Sequence, residues 1–160
     1  MRNMIRSVAW LLSAVLFLSA MAPTALAEEE QQVISISTAE ELVQLSKNCS
    51  LDSWSQGKTI RLEKDISLSG VDYQPIPTFG GTFEGQGHTI SGLNISASGN
   101  TQGLFRYIQS SGTVLDLNVE GTVKPSDRKN VLGGIAGRNR GILANCTSVS
   151  YTHLRAHETT

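Results

Sequence analysis

The residues of this chain that could do acid–base chemistry stand apart from one another. Its carboxylates beyond the N-terminal region include Asp52, Asp65, Asp72, Glu84, Asp116, Glu120 and Asp127, with no Asp-Asp or Asp-x-Asp among them. Glycoside cleavage needs two carboxyl groups facing one bond, and only Glu84 and Asp116 could meet, by lying on neighbouring turns of a repeat. His88 sits in the tight Gly85-Gln86-Gly87-His88 turn with no acid beside it in sequence, and reads as structural. Gly85-Gln86-Gly87 is followed by no helix, so the dipole that phosphate loops use is missing. No Gly-x-Ser-x-Gly elbow occurs. Cys49 and Cys146 lack CxxC or Cys-His context, and read as two small half-buried residues rather than a bonded pair.

Metal chemistry is as sparse. His153 and His157 share a helical i, i+4 spacing with Glu158 adjacent, but no third well-placed ligand or orienting shell accompanies them. No metal or cofactor is expected, and neither is catalysis. The remaining candidates are aromatic. Tyr73 and Tyr107 are the binding residues expected from sequence, able to stack on a sugar ring or a protein side chain. Tyr73 is the one expected to be exposed, whereas Trp54 reads as core.

What could position such residues is set by the rest of the chain. Residues 1–27 read as a secretory signal peptide: Arg2 and Arg6, an apolar run from Val8 to Leu18, Pro23, then Ala25-Leu26-Ala27. The apolar run is shorter than the roughly 20 residues of a spanning helix, so export without stable membrane insertion is expected. Cleavage leaves 11 Lys+Arg against 14 Asp+Glu, a net of −3. That balance offers no basic surface for nucleic acid.

Residues 28–36 form a polar lead-in and a first strand, Val33-Ile34-Ser35-Ile36. Within 37–58, Thr38 and Glu41 make a capping box, with Leu42 and Leu45 at helical spacing behind it. This predicts one short N-terminal capping helix. From residue 59 to 150 the texture is short apolar alternations broken by Gly, Asn, Asp and Ser, starting with Ile60/Leu62 and Ile66/Leu68.

Three segments align, opening at Gly81, Gly103 and Gly134, which stand 22 and 31 positions apart. Each carries an apolar pair at i and i+3: Ile90/Leu93, Val114/Leu117 and Leu143/Cys146. Such a pair faces one interior only if the chain bends between its members. A strand this short cannot bury its apolar face alone, but equivalent strands stacked about 4.8 Å apart build continuous ladders. The expectation is an all-β right-handed parallel β-helix. Gly92, Asp116 and Asn145 are expected to share one corner, Asp72–Thr78 to be an extended connection, Ala97–Gln102 a turn and 124–130 a projecting loop.

The run Leu62-Glu63-Lys64-Asp65-Ile66-Ser67-Leu68, then Pro75-Ile76-Pro77 and Gly81 to Ile90, resembles the start of bacterial surface β-helices. Gly133-Gly134-Ile135-Ala136-Gly137-Arg138-Asn139-Arg140-Gly141-Ile142-Leu143-Ala144-Asn145-Cys146 (133–146) resembles the GLUG motif of Gram-positive surface proteins and of IgA-cleaving metallopeptidases, outside their catalytic part. The resemblance covers Val33 to Ser150 with one clear repeat. It implies a non-catalytic exported module of a larger adhesin or surface protein, with a glycan or protein of a host or cell surface as ligand. The alternative it implies is the non-catalytic part of a surface metallopeptidase; a polysaccharide-active β-helix enzyme is the other. Residues 151–160 do not continue the pattern and read as a non-native tail or a truncation.

Overall fold

The computed structural model describes residues 32–95, 101–123 and 131–150; the expected signal peptide (1–27), projecting loop (124–130) and non-native tail (151–160) fall outside the described residues. The described chain winds into a parallel β-solenoid of about four turns, the right-handed β-helix expected. Strands β1 (Val33–Ile36), β2 (Thr59–Leu62), β4 (Thr82–Glu84), β8 (Thr113–Leu115) and β12 (Ile142–Ala144) stack as one five-stranded parallel sheet. A second sheet stacks β3 (Ile66–Ser67), β5 (Thr89–Ile95), β9 (Asn118–Val123) and β13 (Thr147–Ser150). Two-stranded sheets complete the coils: β6 (Thr101–Gln102) with β10 (Val131–Leu132), and β7 (Phe105–Ile108) with β11 (Ala136–Asn139). Residues Thr101 and Gln102, expected in a turn, therefore pair in register with Val131 and Leu132.

The stack begins at β1, since Val33 lies in register with Thr59. Helix α1 (Ala39–Asn48) is inserted between these two strands. Its capping box forms as the sequence requires: Glu41 N–H donates to Thr38 Oγ1 (3.2 Å), and Glu41 Oε2 accepts from Thr38 N–H (3.1 Å). Such a cap satisfies donors that would otherwise be orphaned, worth about 1 kcal/mol. Leu42 and Leu45 are buried, and Ser46 Oγ donates to the Gln74 carbonyl (2.7 Å), tying the helix to the Asp72–Thr78 connection.

The interior is a ladder of like side chains. Ile60, Phe83 and Val114 stack in consecutive turns and are all fully buried. Phe79, Phe83 and Phe105 meet at the centre, with centroids 5.2 to 6.2 Å apart. Val114 and Leu117 are both fully buried. The bend between them lies at Asp116, whose φ is 50°. Asn145 repeats that conformation one turn later, at φ 53°. Asn and Asp tolerate the left-handed region because their short polar side chains hydrogen-bond locally.

The register differs from the sequence alignment in two ways. Phe83 stacks with Val114, and Phe105 with Ala136, so the segments opening at Gly81 and Gly103 are not equivalent positions of successive coils. The position beneath Phe105 is instead Ile76, in the proline-containing connection. Gly92 also leaves the predicted corner. It has φ 69° beside the irregularity where β5 shifts register against β9, between Ile90 and Leu93. The turn that lies below Asp116 is Gly85–His88: Gly85 N–H donates to the Leu115 carbonyl (2.8 Å), and Gly87 N–H to that of Asp116 (2.7 Å).

Candidate functional site

The carboxylates nearest to a catalytic pair are held by structural partners. Glu84 Oε2 accepts from Arg61 Nε at 2.8 Å, across the register pair Arg61↔Glu84. Asp116 Oδ1 accepts from Asn145 Nδ2 at 3.0 Å, one corner above the next. Glu84 and Asp116 are thus committed to separate contacts. Asp65 Oδ1 accepts from the Thr89 N–H (2.9 Å) and lies 3.3 Å from His88 Nδ1. The Thr89 N–H, and then His88, hold the Asp65 carboxyl below its usual range. His88 therefore has an acid partner that is 23 positions away in sequence and is brought close by one turn of the solenoid. This exposed pair ties β3 to β5 at their entry.

The cysteines are both free. Burial pushes the Cys49 thiol up to about 12, which removes it from nucleophilic chemistry near neutral pH. Cys146 is half-buried, its sulfur near the Ala144 carbonyl at 3.2 Å. Among the described residues, no group of three His, Cys, Asp or Glu is placed to hold a metal ion. His153, His157 and Glu158 lie outside those residues.

Of the two aromatic binding candidates, Tyr73 must be withdrawn. Its ring is buried, 7% exposed, and its hydroxyl donates to the Leu104 carbonyl at 3.0 Å. Burial pushes its ionisation upward. The polar, proline-containing segment around it suggested exposure, but that segment lies between α1 and the third coil and presents its aromatic ring inward. Tyr107 is half-buried in β7 and lies in register with Arg138 of β11. The Arg140 guanidinium stands over its ring, 5.9 Å from the centroid. Trp54 is partly buried against the core, as expected, with the Lys58 ammonium 4.9 Å from its ring centroid.

A cleft of about 230 Å³ lies elsewhere, lined by Gln56, Lys58, Thr82 and Ser111 together with Gly57, Gly80 and Gly81. Gln56 donates from Nε2 to Gln109 Oε1 (3.2 Å), and the Gln109 amide donates in turn to the Asp52 carbonyl (3.0 Å) and to Thr78 Oγ1 (2.9 Å). The residues that sequence reasoning missed are the arginines around Tyr107. The signal was present in Arg138-Asn139-Arg140, but only the true coil register sets that run above Tyr107.

Among the described residues, no helix is long and apolar enough to cross a membrane. No protein-family model matches the chain, and no solved structure matches it. Halomucin of Haloquadratum walsbyi (strain DSM 16790 / HBSQ001) is 34% identical to this chain in an alignment of 113 positions that covers 60% of the chain. The chain spans about 1% of Halomucin's length. A β-solenoid with this likeness is compatible with a module of a surface protein.

Proposed function

We propose that this chain is an exported, non-catalytic β-solenoid module that binds or scaffolds at a cell surface, as one part of a larger adhesin-like protein. The observation that carries the reading is the use made of the acids. Asp65, Glu84 and Asp116 each hold the stack together, through Thr89 and His88, Arg61, and Asn145 respectively. Hydrolysis on a β-helix needs a pair of carboxyl groups facing one bond, and these three are each hydrogen-bonded to a separate partner within the stack. The short stretch of likeness to the much longer Halomucin fits a module within a long protein. The GLUG-like run at 133–146 supplies β11 and β12, so on this reading the motif is a coil-forming element.

The test is twofold. Cells producing the chain are fractionated, and the purified protein is incubated with a panel of polysaccharides. Recovery outside the cell, with no release of reducing or unsaturated ends, is expected. Sugar release above a heat-inactivated control would replace this reading with the polysaccharide-active one.

A further inference from the structure

On a chain with net charge −1, one strand pair collects arginine. Phe105 and Ile108 are both fully buried, and the two residues between them in β7, Arg106 and Tyr107, are half-buried. Arg138 lies in register with Tyr107 on the next coil. Arg140 follows, its N–H donating to the Ile108 carbonyl (3.0 Å) and its guanidinium over the Tyr107 ring. Arg138, Asn139 and Arg140 are all exposed. Among the described residues the ion pairs are Arg61–Glu84 and His88–Asp65, and none involves these three arginines. Arg106 Nε is buried with no hydrogen-bond partner.

This arrangement has a specific chemistry. A guanidinium held over an aromatic ring can still offer its in-plane donors, and their fork matches a carboxylate or sulfate. The stack sets Arg106 on one coil and Arg138 and Arg140 on the next, about 4.8 Å along the axis. An extended acidic polysaccharide likewise presents its anionic groups in a row. Arg138 and Arg140 are exposed and keep their donors turned to solvent, where an anionic ligand can accept from them.

We propose that the outer face of β7 and β11 binds an acidic polysaccharide through its carboxylate or sulfate groups. Arg138 and Arg140 make the direct contacts, and Tyr107 positions Arg140. The proposal rests on the reading of the chain as a non-catalytic binding module and names its ligand class.

The test uses the full chain, immobilised and probed in low salt with polygalacturonate (carboxylate) and dextran sulfate (sulfate). Neutral dextran, single-stranded DNA and phosphatidylglycerol vesicles serve as comparison arms. Binding to one or both acidic polysaccharides is expected, weakening as salt rises. R138Q/R140Q should weaken it by at least about tenfold, because both charge-assisted contacts are lost. Tyr107→Leu should weaken it less, and Lys64→Gln, away from this face, should leave it unchanged. A matching thermal midpoint for each variant separates lost contacts from lost fold. The proposal is overturned by no binding to either acidic polysaccharide, by undiminished binding in R138Q/R140Q, or by equal binding to DNA or vesicles. Sugar release in the same samples would instead remove the non-catalytic reading, so the two failures are distinguishable.

Discussion

Truncating the aromatic centre of the solenoid should cost far more than truncating its last described coil. Phe83 is fully buried, with Phe79 and Phe105 at 6.2 and 5.6 Å in edge-on geometry. It also stacks between Ile60 and Val114 of the neighbouring turns. Phe83→Ala therefore loses transfer free energy, leaves a cavity and removes two aromatic contacts. About 4 kcal/mol of destabilisation is expected. With a urea slope near 2 kcal/mol per molar, the midpoint falls by roughly 2 M. Leu143 occupies the same column on the last described coil, in register with Val114, yet is 38% exposed. Leu143→Ala should cost less than about 1 kcal/mol. Both variants are compared with the parent by urea titration followed by circular dichroism. Equal midpoint shifts in the two variants would refute the shared-interior argument, because a stacked core must weigh its middle above its edge.

Other perturbations have similarly direct readouts. Gly121→Ala places a Cβ 2.1 Å from the Leu93 carbonyl oxygen and 2.6 Å from Leu93 Cβ, where β5 and β9 already shift register; a loss above about 2 kcal/mol in the same titration is expected. The Asp65 carboxyl is held low in the folded state, chiefly by the Thr89 N–H. Its contribution is present above the unfolded carboxylate range and is lost as pH falls through the lower folded value. Asp65→Asn should therefore flatten the acid limb of a thermal-midpoint profile while leaving its slope above pH 7 unaltered. The buried Cys49 thiol, at about 12, should resist Ellman's reagent at pH 8 until denaturant is added, whereas half-buried Cys146 reacts first. Mass spectrometry of singly labelled protein identifies which thiol was modified.

Local signals in the sequence were legible because their physics is local. The Thr38/Glu41 box gave α1 its start, and the i, i+3 spacing of Val114 and Leu117 revealed a bent coil with both members inside. Long-range register was not. Thr82-Phe83-Glu84 and Phe105-Arg106-Tyr107 both follow glycine and look alike, yet they belong to different sheets. The position beneath Phe105 falls to Ile76 between two prolines, which lack the N–H that would have marked a strand. The Gly85–His88 turn blurred the spacing again and hid the common corner. Tyr107 could be picked from sequence, but its arginine neighbours became visible only once the turns were set one above another. Tyr73 failed as a candidate because its polar loop folds back under α1, a tertiary contact that periodicity does not encode.

The stack is asymmetric along its axis. One end carries α1, while among the described residues β12 and β13 are the last strands of their sheets and leave Ile142, Leu143 and Val149 exposed. In a solenoid each turn is stabilised only by its neighbours, so protection against local opening accumulates one turn at a time. Amide deuterium uptake should then run as a gradient, fastest in β12 and β13 and slowest around β2 and β4. Unwinding would proceed directionally, as a ratchet that slips from one end, with the helix-covered turns the last to let go.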